Sequence, residues 1–339
     1  MLGALALVLG GCTPPPPEEE PAWRLVLDAE DLEGVVLSVG GSGPDDVFAV
    51  GGPLGNRGFE SLVVHWDGGR WRALRPGGTE TYWWVAGSGP QDMWMVGTGG
   101  RITHWDGTRF VEHASGTSVT LWGVWAASPT EAWAVGGLPG RGTGAPGGND
   151  VVLRWDGVRW TRVALPGTPR GAALFKVWGR SPADLFIVGE GGTLWHRVGE
   201  TWRLESDDAL STDSLLTVTG CGASEVYAVG GLSVLRHDGT AWSRVDAAPT
   251  GSVNGVACDD TGQVLLVGAG GFKRRRVDGV WRDELTQPPT VDLHAAWADG
   301  RGAFWVGGGD FVTGPVADRR RRGVVGRFGT DGVTGVISP

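Results

Sequence analysis

A four-strand unit that recurs along almost the whole chain is the sequence feature that most limits the possible folds. Its clearest copy is residues 121–163, in which the segments 121–125, 132–135, 151–155 and 160–163 are rich in β-branched and aromatic residues. Turn residues such as Ser-Pro and Asp-Gly separate these segments. Short strands joined by tight turns predict one antiparallel sheet for each copy.

The copies are spaced about forty residues apart, which is the length of a four-stranded propeller blade. Seven second strands end in Val-Gly, and an Asp-Gly turn follows most third strands. The turn aspartates are Asp67, Asp106, Asp156, Asp238 and Asp278, with Val198 in the fourth copy and Asp331 slightly displaced in the seventh. Because stacked repeats form one unit, the chain predicts a single all-β domain over residues 23–339, a seven-bladed β-propeller of four-stranded antiparallel blades.

The fourth strands that follow their own third strands number six, one fewer than the blades. They begin at Trp71, Phe110, Trp160, Trp202, Trp242 and Trp281. The missing strand has a match at the other end of the chain, because residues 23–26 (WRLV) resemble residues 71–74 (WRAL). We therefore expect the N-terminal strand to close the ring on the last blade, which removes an exposed sheet edge. Residues 333–337 are the competing candidate.

Two sets of motifs resemble known repeat families. The segment V-F-A-V-G-G followed by H-W-D-G-G-R-W is similar to a kelch-type repeat, although the blades here are shorter. The set V-W-G, D-x-W-A-V-G and W-D-G-x-x-W resembles repeats of exported bacterial β-propeller lipoproteins, over about residues 23–332. The resemblance implies a propeller fold and says little about function, because propellers host unrelated activities.

The N-terminal residues 1–11, an apolar run ending in Leu-Gly-Gly, resemble a lipoprotein signal peptide with cleavage before Cys12. No Lys or Arg precedes the apolar run, which an upstream start codon would explain; an ordinary secretory signal is the alternative. Residues 12–22, rich in Pro and Glu, are expected to be the lipidated Cys12 and an extended tether. These features predict a lipid-anchored protein of the bacterial cell envelope, outside the cytoplasm, in the outer membrane or facing the periplasm.

Charge and histidine placement exclude several classes of partner. A net charge of −9 argues against general nucleic-acid binding, which needs a basic face. His65, His104 and His196 share one repeat position, so we expect them far apart around the ring and predict no metal site. No cofactor is expected. The acidic residues before the second strands recur in a fixed register, which favours turn capping: Asp46, Asp92, Glu131, Asp184 and Glu225.

The nineteen Trp residues allow two interpretations, a sugar-stacking platform or a blade core. Almost all occupy strand positions where other blades also have an aromatic or aliphatic residue, and each Trp can bury about 150–250 Å². We therefore expect most of them to be core residues. Four aromatic residues at first-strand starts, beside the central channel, are the candidates for ligand contact: Tyr82, Trp83, Trp84 and Trp122.

Three insertions between second and third strands, residues 53–60, 138–150 and 309–322, are the longest departures from the repeat. Because strand direction alternates, all three are expected on one face of the ring, which we call the loop-rich face. Loops on a rigid scaffold often hold functional residues. The alternative is that these exposed Gly/Pro-rich loops vary in length and sequence without a functional role, because such changes cost little stability.

Two basic runs lie at or near third-strand starts of the sixth and seventh blades. They are Lys273, Arg274, Arg275 and Arg276, and Arg319, Arg320, Arg321 and Arg322. As neighbours on the loop-rich face, these eight cations would create a local positive field suited to an anionic ligand. The alternative is a set of solvated edge residues that alternate sides along a strand.

Cys221 and Cys258 fall at the ends of first strands in adjacent blades. Export permits oxidation, and a bridge requires Cα atoms within about 7 Å. A disulfide and two small buried thiols both remain open at this point.

The leading hypothesis is a monomeric binding or scaffolding module, rather than an enzyme, that recognises a protein or an anionic glycan through the loop-rich face. The alternative is a polysaccharide hydrolase or lyase with carboxylates at the channel mouth. Its candidate carboxylates are Glu60, Glu80, Asp150, Glu190 and Asp310. A glycosidase needs two carboxylates about 5–10 Å apart, and no motif supports a particular pair.

Overall fold

The computed structural model describes residues 20–29, 34–54, 59–142, 149–167, 171–311, 321–330, 333 and 337–338. The predicted signal peptide, Cys12 and most of the tether lie outside the described residues, as do parts of the three insertions.

Short antiparallel strands make up the described chain. The closing strand and the first three blades contain β1 (Ala22–Ala29), β2 (Val35–Gly43), β3 (Asp46–Gly52), β4 (Leu62–Trp66), β5 (Trp71–Leu74), β6 (Tyr82–Gly89), β7 (Asp92–Gly97), β8 (Ile102–Trp105), β9 (Phe110–His113), β10 (Leu121–Ser128), β11 (Glu131–Gly136), β12 (Val151–Trp155) and β13 (Trp160–Arg162). The last four blades and the C-terminal strand contain β14 (Leu174–Ser181), β15 (Asp184–Gly189), β16 (Leu194–Val198), β17 (Thr201–Leu204), β18 (Thr217–Cys221), β19 (Glu225–Gly230), β20 (Ser233–His237), β21 (Trp242–Arg244), β22 (Val253–Cys258), β23 (Val264–Gly268), β24 (Lys273–Val277), β25 (Val280–Asp283), β26 (Asp292–Ala298), β27 (Phe304–Gly309), β28 (Gly323–Gly329) and β29 (Ile337–Ser338).

These strands form seven sheets, one for each predicted repeat. In blades 1 to 6 four consecutive strands pair in chain order, from β2-β3-β4-β5 to β22-β23-β24-β25. The seventh sheet has the order β26-β27-β28-β1. The predicted all-β, seven-bladed propeller of four-stranded antiparallel blades is confirmed.

The ring closes through the N-terminal strand, as predicted. Trp23 pairs with Phe328 and Leu27 with Val325 in an antiparallel register. The indole Nε1 of Trp71, on the neighbouring blade, donates to the carbonyl of Val26 at 3.1 Å. The outer position of blade 7 is therefore held by β1, while β29 (Ile337–Ser338) pairs in parallel with β5 and adds a fifth strand to blade 1.

The core lies between the blades, where the faces of adjacent sheets meet. Second strands such as β7, β23 and β27 are buried along their whole length. Rings from successive blades touch; Trp71 meets Trp305 with centroids 6.2 Å apart, and Trp94 meets Trp155 at 5.2 Å. The Trp residues that are essentially inaccessible to solvent are Trp71, Trp94, Trp133, Trp195 and Trp305. These Trp residues are core residues, as the repeat pattern predicted.

The Asp-Gly pairs form the turns between third and fourth strands. The Oδ1 atom of Asp67 accepts hydrogen bonds from the backbone N–H of Gly69 and Arg70. Gly68, which directly follows Asp67, has φ +84°, and Gly157 in the third blade has φ +89°. A side chain at these positions would be strained, which explains the Gly in the repeat.

The acidic residues at the starts of second strands do more than the predicted turn capping. Each reaches across the sheet to a basic side chain of the third strand in the same blade, as in Asp92 Oδ1–His104 Nε2 at 2.8 Å. The equivalent pairs are Asp46–His65, Glu131–Arg154, Asp184–His196 and Glu225–Arg236. The repeated histidines are therefore polar partners within their own blades.

No helix among the described residues is both long and apolar enough to cross a membrane.

Candidate functional site

The first strand of most blades carries a β-bulge at the same place, close to its start. In the second blade, Tyr82 pairs with Gly97 and Trp84 with Val96, so Trp83 is the extra residue. The extra residues in six blades are Leu37, Trp83, Trp122, Phe175, Asn254 and His294. A bulge redirects a side chain locally, and in blades 2, 3, 4 and 7 the extra residue carries an aromatic ring.

Five rings, four at these bulge positions and one in a loop, come together near the channel mouth. We call Trp83, Trp122, Phe175, His294 and Phe311 the mouth cluster. Trp83 lies 4.4 Å from Trp122 and 5.9 Å from His294, measured between ring centroids. Trp122 lies 5.8 Å from Phe175, and His294 lies 6.0 Å from Phe311. The cluster therefore joins blades 2, 3, 4 and 7 across the mouth.

Hydrogen bonds tie the mouth cluster to the loop-rich face. Trp122 Nε1 donates to the carbonyl of Gly137 at 2.9 Å, directly before the insertion at 138–150. Trp83 Nε1 donates to Thr98 Oγ1 at 3.3 Å, and Phe311 belongs to the insertion at 309–322. Both Trp rings remain partly exposed. These contacts place Trp83 and Trp122 on the same face as the loops that follow the second strands.

His294 is held as a neutral ring in this cluster. Burial, with a smaller contribution from the Lys176 ammonium, lowers the pKa of His294 to about 4. Its Nδ1 donates to the carbonyl of Leu37 at 2.6 Å. The mouth cluster is therefore uncharged at neutral pH.

A small groove adjoins the mouth cluster on the loop-rich face. It has a volume of about 410 Å³ and is lined by Leu54, Thr79, Glu80, Thr81, Trp83 and Thr98. Trp83 is thus shared between the groove and the mouth cluster. Glu80, at the groove wall, pairs with Arg101 at 3.2 Å.

The other two predicted aromatic residues have different roles. Tyr82 is fully buried between blades 1 and 2, where its hydroxyl lies 2.7 Å from Thr103 Oγ1. Burial raises the pKa of that hydroxyl, and the Arg101 guanidinium lies over the ring at 4.8 Å. Trp84 lines the central channel. Tyr82 is a core residue with no exposed surface. This burial argues against the prediction that it contacts a ligand directly.

Sequence reasoning missed Phe175, His294 and Phe311. The first two occupy the same repeat position as Trp83 and Trp122, so a full alignment of first-strand starts would have found them. Phe311 lies in an insertion that no other blade shares, and no sequence signal links it to His294.

The central channel contains a cavity of about 340 Å³ lined by the first strands of all seven blades. Its aromatic walls are Trp84, Trp125, Trp178 and Trp297. The one ionisable side chain among its described lining residues is Lys176, which is 4% exposed. Burial lowers the pKa of Lys176 to about 7.

The basic run of the sixth blade is engaged between blades. Lys273 is fully buried, and Arg275 binds Glu284 at 2.7 Å while lying 4.0 Å over the Phe328 ring of blade 7. On the other side of the strand, Arg274 donates to the carbonyl of Ala247 at 2.5 Å. Arg276 likewise donates to the Tyr227 hydroxyl at 3.0 Å in blade 5. The geometry favours an inter-blade role for this run over the predicted anion-binding surface.

The basic run of the seventh blade is described only in part. Arg319 and Arg320 lie outside the described residues. Arg321 is buried, and its guanidinium donates to the carbonyl of Asp310 at 3.1 Å. Arg322 makes a two-pronged ion pair with Asp28 of the closing strand. Both described arginines therefore fasten the insertion and the closing strand to the scaffold.

The candidate carboxylates of the hydrolase hypothesis have structural partners as well. Glu60 pairs with Arg75 at 2.8 Å, and Asp150 lies 3.9 Å from Arg162. Glu190 Oε1 accepts from the backbone N–H of Gly140 at 2.7 Å. None of the described residues that line the central cavity is a carboxylate. The hydrolase hypothesis thus lacks an acid–nucleophile pair in the part of the channel that the structure describes.

The two cysteines are bonded in the structure. Cys221 ends β18 and Cys258 ends β22, and their Cα atoms lie 5.3 Å apart. That spacing is within the range of a disulfide. The geometry favours the bridge over two separate thiols.

One histidine cluster was not anticipated. The ligand-type atoms of His196, Glu205 and His237 lie within 4.8 Å of one another. Hydrogen bonds account for the arrangement, because His196 lies between Asp184 at 2.9 Å and Glu205 at 3.0 Å. The backbone N–H of Gly239 donates to Nδ1 of His237. The cluster joins blades 4 and 5, and its members come from different repeat positions, which hid it from sequence comparison.

Comparison with known proteins identifies the fold. No protein-family model matches the sequence, and no curated protein matches it. Among solved structures, YCF48 from Cyanidioschyzon merolae is similar with a TM-score of 0.63 and 17% identity, covering 91% of this chain and 98% of that one. YCF48 bound to D1 peptide has a TM-score of 0.66 and 14% identity, covering 92% and 100%. The WD40 β-propeller domain of Doa1 has a TM-score of 0.67 and 10% identity, covering 92% and 98%. At these identities the likeness establishes the propeller fold, with WD40-like neighbours.

Proposed function

We propose that this chain is an exported, lipid-anchored binding module that recognises an extended protein segment through its loop-rich face. The observation behind the proposal is the mouth cluster, in which partly exposed Trp83 and Trp122 meet on a rigid ring. Aromatic residues, and Trp above all, dominate the binding energy of protein interfaces. Their hydrogen-bonded indoles are positioned in advance, which lowers the ordering cost of binding.

The surroundings of the cluster fit a peptide side chain. The adjoining groove of about 410 Å³ shares Trp83 as a wall, and it has threonine hydroxyls and the Glu80 carboxylate at its edge. An apolar side chain in the groove would exclude water from Trp83, while the polar edge could bond the peptide backbone. Apolar pockets with a few placed polar groups are typical of specific binding sites.

A protein partner is favoured over the anionic glycan. YCF48, which has a similar fold, was solved with D1 peptide bound, and the other neighbours include WD40 propellers. Among the described cations of the two basic runs, Lys273, Arg275 and Arg322 are engaged within the scaffold. The mouth cluster is neutral and aromatic.

The anchor and location rest on the N-terminal sequence. Residues 1–11 followed by Cys12 resemble a lipoprotein signal, and the Pro- and Glu-rich segment after Cys12 would act as a stalk. A lipid on Cys12 would hold the propeller at a membrane surface, in the outer membrane or facing the periplasm.

A peptide-display selection on the full chain, purified in detergent, tests the binding function. Selected peptides should contain aromatic or aliphatic anchors and should bind wild type with measurable affinity by fluorescence anisotropy. Trp83→Ala and Trp122→Ala should each weaken that binding by about tenfold or more, as expected for interface anchors. Trp281→Ala, a partly exposed Trp on the outer strand of blade 6, is the matched control and should change it less than twofold.

Two outcomes would contradict the proposal. Equal losses for all three variants would mean that the mouth cluster is not the contact surface. Failure to select any peptide, together with salt-sensitive binding to acidic sugars on a glycan array, would favour the glycan hypothesis instead.

A further inference from the structure

The central cavity is separate from the mouth cluster. Its lining runs from Lys176 and Trp84, near the starts of the first strands, to Gly41, Gly220 and Cys258 at their ends. The first strands end at the face opposite the loop-rich face. A ligand would therefore enter the cavity from that opposite face, and it would reach the mouth cluster only at the inner end of the channel.

Lys176 is built into this cavity. Its Nζ donates to the carbonyl of Trp122 at 2.8 Å and lies 4.1 Å from the centroid of the Trp84 ring. Gly123 on the adjacent strand makes room for it, because a Cβ there would come within 2.9 Å of the Lys176 Cα and 3.2 Å of its Cδ. The lysine stem thus fills the space that a side chain at position 123 would occupy.

The Lys176 ammonium is under-satisfied by the described residues. An ammonium has three N–H donors, and among those residues one carbonyl oxygen accepts from it. Leaving a buried charge with incomplete hydrogen bonding is unfavourable, which is why burial lowers the pKa of this group. An anionic oxygen in the cavity would complete its coordination.

Lys273 is a second buried lysine, and its ammonium is more fully hydrogen-bonded by the protein itself. It is also fully buried, yet its Nζ donates to two carbonyls, Gly271 at 2.9 Å and Pro289 at 2.7 Å. It also lies 5.7 Å from the Trp23 ring. It does not line the central cavity. Lys176 thus differs from Lys273 in two ways: it lines the cavity, and it donates one hydrogen bond fewer among the described residues.

The cavity walls limit the shape, polarity and size of the rest of the ligand. Four indole side chains, Trp84, Trp125, Trp178 and Trp297, line the space. Trp178 lies over Gly220, where a Cβ would come within 2.1 Å of the ring. Such walls suit a flat or apolar body. At about 30 Å³ per water-sized unit, the volume suits a ligand of roughly ten non-hydrogen atoms.

We propose that the central channel binds a small organic monocarboxylate, whose carboxylate pairs with the Lys176 ammonium and whose apolar body packs among the four indoles. One cation compensates one negative charge. A dianion such as phosphate would leave a buried charge unpaired, which is costly. The cavity shares no described lining residue with the mouth cluster, although Lys176 bonds the backbone of Trp122.

The test is calorimetry and saturation-transfer NMR on the full chain in detergent, with a micelle-only blank. The probes are phenylacetate, hexanoate and the neutral isostere phenylacetamide. The carboxylates should bind, and phenylacetamide should bind at least about tenfold more weakly, because a charge-assisted hydrogen bond is lost. Lys176→Met, which keeps the stem length, should show the same loss, and Lys273→Met should stay within twofold of wild type.

A second measurement on wild type guards against misfolding of the Lys176 variant. A bound carboxylate raises the pKa of Lys176, so binding at pH 8 should take up protons, seen as a dependence of the heat on buffer ionisation. His294, whose pKa the nearby Lys176 helps to lower, is neutral at that pH. Equal binding of the amide, an unchanged Lys176→Met affinity, absence of proton uptake at pH 8, or no binding of any probe at 10 mM would each overturn the proposal.

Discussion

Ring closure by the N-terminal strand can be tested with a single matched pair of leucines on β1. Leu27 is fully buried in the cluster that joins blade 7 to blade 1, together with Val26, Trp71 and Trp305. Leu25, two residues earlier on the same strand, is partly exposed. Leu27→Ala and Leu25→Ala delete the same atoms from the same strand, so only their burial differs.

The expected difference follows from that burial. Truncating a fully buried leucine to alanine costs about 2–5 kcal/mol, because transfer and cavity terms add. The same change at a partly exposed position should cost about 1 kcal/mol or less. At roughly 2 °C per kcal/mol for a domain of this size, Leu27→Ala should lower the melting temperature by roughly 4–10 °C.

The assay is a thermal melt followed by limited proteolysis of the full chain. No turn joins the closing strand to blade 7; only hydrogen bonds and packing hold it there. The Leu27 variant should therefore become sensitive to protease first near residues 20–29, as expected for local opening. Deleting residues 22–28 should give a larger loss in the same direction. Equal melting temperatures for the two leucine variants, with a deletion that melts like wild type, would refute closure through β1.

Three further predictions concern the cysteines, the anchor and a histidine. Thiol counting on denatured, unreduced protein should find neither Cys221 nor Cys258 free, and reduction should lower stability by about 3–4 kcal/mol on the chain-entropy model; two free thiols would rule the bridge out. Cys12→Ala should release the protein from membranes or block its processing, and a variant that fractionates and matures like wild type would exclude Cys12 as the lipid site. Although burial opposes it, the hydrogen bonds that the His196 ring donates to the Glu205 and Asp184 carboxylates raise the pKa of His196, so its stabilising contribution is complete below about pH 6.5 and is lost as pH rises through the raised value. Melting temperatures measured from pH 5.5 to 8.5 should fall more steeply for wild type than for His196→Gln, and parallel profiles would contradict the assignment.

The fold was predictable because its signals are local. Strand periodicity and Asp-Gly turns act over fewer than ten residues, and repetition of these signals set the number of blades. Closure followed from the same information, since the segment at 23–26 copies a fourth strand that the last blade lacks. The sequence left residues 333–337 open as a competing candidate, and the pairing of β1 with β28 decided between the two.

The candidate sites were predictable only in part. Trp83 and Trp122 were found because they share a repeat position, yet the contact of Trp83 with His294 depends on ring curvature across three blades. The cations at Lys273 and Arg275 looked like a surface patch in sequence, because the partners that engage them belong to loops and neighbouring strands.

The amino-acid sequence by itself determined the architecture of this protein, because hydrogen-bonded hairpins and a buried face on each strand are specified within each repeat of about forty residues. The tertiary structure decided which side chains meet at the axis. Bulges near the first-strand starts turn Trp83, Trp122, Phe175 and His294 toward one mouth, and Gly123 opens the space that Lys176 fills. Those contacts join residues from different blades, and their distances depend on how the closed ring packs, which no local pattern encodes.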